Sequence, residues 1–452
     1  MTALNAAILF NNSTGSDTTA SGSSAGANVY GSGASTTSAS AVVTGITTTG
    51  VQAGDLLWVQ SSSGRQFSVI ASVDSGTQVT CDDTFANTES SRTWAIGGKR
   101  ATLGGSSQIF ADASGGYVLQ LEDSHTETIT STLNLSATSN STNGVMILRG
   151  DPTATTKPKI STSSAINLMS VTGDCWKVQN IELEATGSGG VRGIEVNSGG
   201  AFIVEDCKFT SWKNYVASTA IRDRHGVGLS VRNCHFYDCK RGVSDAGVLN
   251  YVDGCWFDQC EIGWTGGTVS RMCFIRNNVF SGGTSGVSLG LSNDGRDDPW
   301  GNVFEGNVFY GQSSSAFVAN FNTGGNAPLS HFTLTNNIFG GGGGYAFENT
   351  GTATSTSFGV SVIDRNAYYD SGYTSGRTTI ASLPETNAIT LTDDPFVDSA
   401  ASDFNIADNA GGGATIRANN FSLNTDTAVY PFRQYVSDAF GGGGGSQFHP
   451  LG

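Results

Sequence analysis

Three short stretches of this sequence carry residue types and spacings that can do chemistry. The first is a pair, NCHFYDCKRGV at 233–243 and GCWFDQCEIGW at 254–264, each holding Cys-x4-Cys with aromatic residues between the thiols. Four such sulfurs can ligate zinc, close two disulfides, or stack as buried free thiols. The second is IRDRHGVG, where Arg222, Asp223, Arg224 and His225 form the densest charged cluster of a charge-poor region. His225 there offers a general base, and an arginine offers a bidentate partner for a uronate carboxylate. The bland alternative is a solvated turn with one Asp–Arg pair. The third is LSNDGRDDPWGN, whose Asn293, Asp294, Asp297 and Asp298 cluster the oxygen ligands that Ca2+ takes. The spacing is not that of an EF-hand, and Asp-Gly and Asp-Asp-Pro are also ordinary turn chemistry.

The elements that must position these residues follow from composition and periodicity. The chain has 452 residues, with 61 glycines and only 8 prolines, a balance that favours short strands and frequent turns. Apart from a possible short helix near 106–113, no stretch has a sustained helical period, so an all-β class is expected. From about residue 175 the sequence repeats. Aligned on one apolar position, Leu183, Phe209, Phe236, Phe257, Phe280, Phe309, Phe339 and Tyr368 recur at steps of 26, 27, 21, 23, 29, 30 and 29 residues. Two residues before them stand Ile181, Cys207, Cys234, Cys255, Asn278, Asn307, Asn337 and Asn366. Six or seven residues after many of them, a small residue precedes an apolar one, as in Gly242-Val243, Gly263-Trp264 and Ala316-Phe317.

A unit of this length without a helix is one coil of a parallel β-helix, which buries its apolar face only by stacking on its neighbours at about 4.8 Å. Cys207, Cys234 and Cys255 then form one interior ladder, continued by Asn278, Asn307, Asn337 and Asn366, whose buried amides can bond to their equivalents above and below. Cys239 and Cys260 form a second ladder. Stacked free thiols are therefore the preferred reading. Zinc is disfavoured by the unusual spacing and by His235 alternating outward, and disulfides by the parallel Cβ vectors of stacked residues.

Other segments differ in character. Residues 1–40 include a Ser/Gly/Thr-rich stretch (13–40) too poor in apolar residues for a core, expected as an arm. Residues 41–100 alternate as five short antiparallel strands, a small barrel or sandwich suited to anchoring. The β-helix is expected over 101–410, and a capping segment with a Gly-rich tail over 411–452. The net charge of −15 argues against a nucleic-acid partner. MTALNAAILFNNSTG lacks a basic n-region, so no secretory signal is expected, and no segment approaches the roughly 18–20 apolar residues of a membrane span.

VRNCHFYDCKRGV, IRNNVFSGG, FEGNVFYG and LTNNIFGG, together with DDPFVDSAASDFNI at 393–406, resemble right-handed parallel β-helix proteins of the pectate-lyase-like superfamily over roughly 115–410. GVQAGDLLWVQ through WAIGGKRATL, and the end FGGGGGSQFHPLG, resemble β-helical structural proteins of tailed bacteriophages. The first resemblance implies a fold that hosts lyases, hydrolases, adhesins and inert rods alike. The second implies a virion structural protein, a spike, fibre or decoration component made in the host cytoplasm. Its partners would be copies of itself, other virion proteins and a host-surface glycan. A polysaccharide-degrading tailspike or secreted enzyme, and a non-catalytic glycan-binding adhesin, stand beside it. Exposed aromatics that could stack on sugars are sought at Trp212, Tyr215, Trp264 and Trp300. No cofactor is expected beyond the possible Ca2+.

Overall fold

A computed structural model of the chain describes residues 7–10, 29–62, 64–97, 99–100, 102–103, 118–123, 125–136, 145–152, 154–187, 190–197, 200–224, 226–267, 270–290, 301–320, 332–349, 361–369 and 385–419. Its contacts divide it into two compact units, Met1–Glu182 and Leu183–Gly452.

In the first unit, strands Val29–Thr36, Val42–Thr44, Leu56–Ser61, Gly64–Ser75, Gln78–Cys81 and Glu89–Gly97 close an antiparallel barrel. Val43, Leu57, Val59, Ile70, Val79, Trp94 and Ile96 fill it. The barrel begins at Val29, inside the segment whose composition reads as an arm. Small side chains are what this strand requires. It crosses the face of Trp94, and a Cβ on Gly31 would lie 3.1 Å from Trp94 Cζ2. The rest of the unit is parallel. Val118–Leu121 pairs with Met146–Gly150, which pairs with Trp176–Gln179, and Ala7–Phe10 adds to the free side of Val118–Leu121. The 106–113 helix lies outside the described residues.

The second unit is a three-sheet parallel β-helix. Sheet 1 holds Phe202–Glu205, Leu229–Arg232, Tyr251–Asp253, Phe274–Arg276, Asn302–Glu305, Phe332–Thr335 and Val362–Asp364. Sheet 2 holds Lys208–Thr210, His235–Tyr237, Trp256–Asp258, Val279–Ser281, Val308–Tyr310, Ile338–Gly340, Ala367–Tyr369 and Ile389–Leu391. Sheet 3 runs from Arg192–Val196 through Thr219–Asp223, Arg241–Asp245, Ile262–Gly266, Ser285–Gly290 and Phe317–Asn320 to Phe347–Asn349. Two residues separate each sheet-1 strand from the sheet-2 strand that follows it. The first of them is left-handed in every coil: Asp206, Asn233, Gly254, Asn277, Gly306, Asn336 and Arg365 have φ of 51° to 65°. Most are residue types that tolerate that region. The second points inward. Because this corner never changes length, the unequal steps of the repeat fall in the other two turns.

The aligned aromatics are paired in register and stack as a column, with centroids 4.9 Å apart for Phe209–Phe236, 4.7 Å for Phe236–Phe257 and Phe257–Phe280, and 4.8 Å for Phe280–Phe309. The small residue on sheet 3 is required by this column. A Cβ on Gly242, Gly263 or Gly286 would stand 2.4–2.5 Å from the Phe257, Phe280 or Phe309 ring.

The inward residue at the invariant corner is a hydrogen-bond donor to the preceding coil. Cys234 Sγ donates to Val204 O and Cys255 Sγ to Val231 O (3.8 and 3.7 Å). Asn278, Asn307, Asn337 and Asn366 donate through Nδ2 to Val252, Ile275, Phe304 and Leu334 O. The asparagines are also linked to one another in a single direction. Nδ2 of Asn278, of Asn307 and of Asn337 donates to Oδ1 of the next, at 2.9–3.0 Å, and Asn366 donates to Glu385 Oε1. A second set reaches the backbone carbonyl of the aligned apolar residue one coil back: Trp212 Nε1 to Leu183 O, Cys239 Sγ to Phe209 O, Cys260 Sγ to Phe236 O and Gln312 Nε2 to Phe280 O. Cys, Asn, Gln and Trp therefore share these positions because each supplies a compact or planar buried donor that reaches a backbone carbonyl of the preceding coil. All eight cysteines are free, and burial raises the thiol pKa of Cys234, Cys260 and Cys273 well above its ordinary value.

The DDPFVDSAASDFNI segment folds back onto the outer face of sheet 2. Its antiparallel pair Phe396–Asp398 and Asp403–Ile406, with the short helix Gly413–Ala418, covers the outward row Val279, Val308, Ile338, Ala367 and Ile389. Phe396 and Phe404 pack edge-on to Tyr310, whose hydroxyl accepts a hydrogen bond from Ser399 Oγ at 2.7 Å. The cover explains why NNVF, GNVF and NNIF carry adjacent apolar residues: both faces of these strands are buried.

Candidate functional site

The outer face of sheet 1 carries two straight rows, set by strand register. One is Ile203, Ser230, Tyr251, Phe274, Val303, Thr333 and Val362. Within it Tyr251 and Phe274 stack with centroids 5.0 Å apart and planes 9° from parallel, and Tyr251 is 41% exposed. The other row alternates in charge: Glu205, Arg232, Asp253, Arg276 and Glu305. Arg276 joins the rows. Its guanidinium carbon lies 4.9 Å from the Phe274 ring centre, and its Nε lies 3.2 Å from Glu305 Oε2. Asp253 Oδ1 accepts from Asn277 Nδ2 at 2.9 Å. A flat aromatic pair beside alternating donors and acceptors can stack on a sugar ring and bond its hydroxyls.

Sheet 3 carries a second cluster. Glu195 and Arg222 are register partners on its outer face. Arg192 is ion-paired to Glu195 Oε1, while Arg222 and Arg224 approach the same oxygen at 4.0 and 3.8 Å. Burial first and Arg222 second lower the proton affinity of Arg192. Burial, then Arg224, lower that of Arg222, on which Arg241 also acts.

Beneath this cluster, inside the coil, lie two stacked acids. Asp223 and Asp245 are each 1% exposed. Asn250 Nδ2 bridges them, donating to Asp223 Oδ2 at 2.7 Å and Asp245 Oδ1 at 2.9 Å. The backbone N–H of Gly226 donates to Asp223 and that of Gly247 to Asp245. Burial, then the Asp223 charge, raise the Asp245 carboxyl to about 7, against the opposing hydrogen bonds from Gly247, Cys273 and Asn250.

Of the cluster read from IRDRHGVG, the structure brings Arg222 and Arg224 together on the surface and separates Asp223 from them. Strand alternation turns Asp223 into the interior, so neither an exposed Asp–Arg pair nor a surface catalytic acid forms there. His225 lies outside the described residues, as do Asn293, Asp294, Asp297, Asp298 and Trp300. Among the described residues, no three His, Cys, Asp or Glu side chains gather as a metal site. His235 lies on the outer face of sheet 2, stacked on Trp256 at 4.5 Å. Trp212 and Trp264, sought as exposed sugar platforms, are fully buried, while Tyr215 is 37% exposed. The sheet-1 rows had a signal in the sequence. Tyr251 and Phe274 each stand four residues before a ladder residue, Cys255 and Asn278. The charged row stands two before Cys207, Cys234, Cys255, Asn278 and Asn307. Glu195 and Arg192 had no such mark, because VRGIEV precedes the first clear corner motif.

Residues 164–363 match the family model described as the right handed beta helix region, which fixes the hand of the coils. No curated protein sequence matches the chain. Among solved structures the chain is similar to a pectate lyase, at 16% identity over 76% of this chain and 88% of that one, with a TM-score of 0.49. It is also similar to the A-module of a mannuronan C-5 epimerase from Azotobacter vinelandii (11%, 66% and 78%, TM-score 0.40). A third likeness is to a family 6 polysaccharide lyase from Pseudopedobacter saltans (11%, 68% and 96%, TM-score 0.37).

Proposed function

We propose that the protein is a β-helical component of a bacteriophage particle, of the spike, fibre or decoration kind, that holds a host-surface polysaccharide along the outer face of sheet 1. The observation that carries the binding role is the stacked Tyr251–Phe274 pair, with Tyr251 exposed and Phe274 half-buried, flanked by the alternating row Glu205, Arg232, Asp253, Arg276 and Glu305. The two stacked rings present an apolar patch two rungs long for a sugar, and the charged row beside it gives direction and selectivity. The particle setting rests on the resemblance of the 50–103 segment and the Gly-rich end FGGGGGSQFHPLG to phage structural proteins, and the partners there are copies of this chain and other virion proteins.

A second reading, polysaccharide cleavage, is favoured by Asp253 and Glu305. They stand two rungs apart in one row, roughly 9.6 Å in backbone separation, near the spacing at which paired carboxylates hydrolyse glycosides with inversion.

One experiment separates the two. The full chain is passed through affinity gels cast with polygalacturonate, alginate or host-surface polysaccharide, and the same mixtures are assayed for new reducing ends and for ultraviolet absorbance of unsaturated uronates. Retardation lost in Tyr251→Ala, with neither product, supports binding. New reducing ends lost in Glu305→Gln support cleavage. Wild-type mobility unchanged in every gel refutes the sheet-1 site.

A further inference from the structure

The sheet-3 cluster is out of electrostatic balance. Three guanidinium groups, with Arg241 on a neighbouring strand, surround one carboxylate, Glu195, whose side chain is 6% exposed. Arg192, with 15% side-chain exposure, takes that carboxylate directly. Arg222 and Arg224 stand at 4.0 and 3.8 Å, beyond hydrogen-bond reach, with side chains 33% and 46% exposed. Among the described residues neither guanidinium makes a hydrogen bond, and both are partly open to solvent. The chain as a whole carries −15. A net positive spot in such a molecule, built on consecutive strands of a rigid sheet, opposes its own assembly through like-charge repulsion unless an anion joins it. Guanidinium forks on a fixed backbone match the oxygens of a carboxylate or sulfate bidentately. The buried Glu195–Arg192 pair sets the floor of the site and leaves the two outer arginines as its jaws.

We infer that Arg222 and Arg224, backed by Arg192 and Glu195, form an oxyanion-binding site on sheet 3 that takes a carboxylate or sulfate group of an acidic glycan. The choice of a glycan as the source rests on the sheet-1 reading, whereas the oxyanion chemistry does not. The site lies on a different sheet from Tyr251 and Phe274, so it adds a second contact that selects for acidic chains.

The test uses the full chain titrated calorimetrically at low salt with three probes: sodium sulfate, oligogalacturonate, and a neutral oligosaccharide of equal length. The wild type is compared with Arg222→Ala/Arg224→Ala and with Tyr251→Ala, and circular dichroism verifies that each variant is folded. A lysine pair, Arg222→Lys/Arg224→Lys, keeps charge while removing the forks. The expected result is oligogalacturonate binding weakened at least tenfold in the alanine pair, with partial rescue in the lysine pair and steep weakening by salt. Sulfate binding lost in the alanine pair, with no glycan bound by any variant, retains the oxyanion site and refutes the glycan source together with the sheet-1 reading. Sulfate and oligogalacturonate affinities equal in wild type and the alanine pair, or absent from both, overturn the proposal.

Discussion

Replacing Asp245 by Asn tests the account of the acids buried under sheet 3. Asp245 and Asp223 are stacked in the coil interior, share one amide donor in Asn250, and are each 1% exposed. The Asp245 carboxyl is raised to about 7, by burial first and by the Asp223 charge second. An unfolded aspartate titrates near 3.9, so the gap is about 3 units, and at about 1.4 kcal/mol per unit it amounts to about 4 kcal/mol at most. The sign follows from the direction of the shift. A carboxyl whose folded pKa lies above its unfolded value stabilises the fold fully below about pH 4, and that contribution is lost as the pH rises through about 7. Wild-type stability should therefore fall between about pH 4 and about pH 7 by up to that amount relative to Asp245→Asn, whose amide does not titrate there. Asn keeps an acceptor for the Gly247 N–H and Asn250, so the packing is nearly isosteric. Urea unfolding of both proteins across this range gives the difference directly, since every other titrating group is common to both. Parallel stability–pH curves for the two proteins would refute a buried proton on Asp245.

Other consequences follow from the ladders. Asn307→Leu removes donors to Ile275 O and Asn337 and the acceptor for Asn278, and should cost about 3–5 kcal/mol by urea unfolding. Gly263→Ala places a Cβ 2.4 Å from Phe280; it should cost about 1–3 kcal/mol and broaden the near-ultraviolet aromatic signal. A thiol reagent applied to the native protein should modify Cys175, the one half-buried cysteine, and reach the other seven only after denaturation. Rapid native reaction of Cys234 or Cys255 would contradict the buried-donor role.

The coil was legible because the chain states its period twice, in the aromatic column and in the residue two positions before it. Phe236, Phe257 and Phe280 align by eye and stack as read. What a cysteine does there was less legible. Its size suggested simple apolar filling, but only the neighbouring coil reveals the carbonyl to which Cys234 or Cys255 donates. Asp223 was misread as a surface acid because IRDRHG looks like a turn. In fact strand Thr219–Asp223 runs on to Asp223 itself, and alternation turns that last strand residue inward between the outward Arg222 and Arg224. Tyr251 and Phe274 lie 23 residues apart in the sequence and 5.0 Å apart in space, a relation that local pattern does not express until register is applied. The apolar outward positions Val279, Val308 and Ile338 had no reading until the 396–418 segment was seen to cover them.

The asparagine row has an orientation as well as a spacing. Every link runs the same way, amide nitrogen to the next carbonyl oxygen, from Asn278 to Asn366. Side-chain dipoles so joined add rather than cancel, as peptide dipoles do along an α-helix, and each polarises the next. The column is therefore a small electret inside an all-β rod, with its positive pole at Asn366. Glu385 occupies that pole, accepting from the backbone N–H and Nδ2 of Asn366 through one oxygen and from the Tyr368 hydroxyl through the other. An anion there terminates the polarised column in the way an acidic cap terminates a helix, which gives one end of the rod an electrical identity that its backbone alone does not confer.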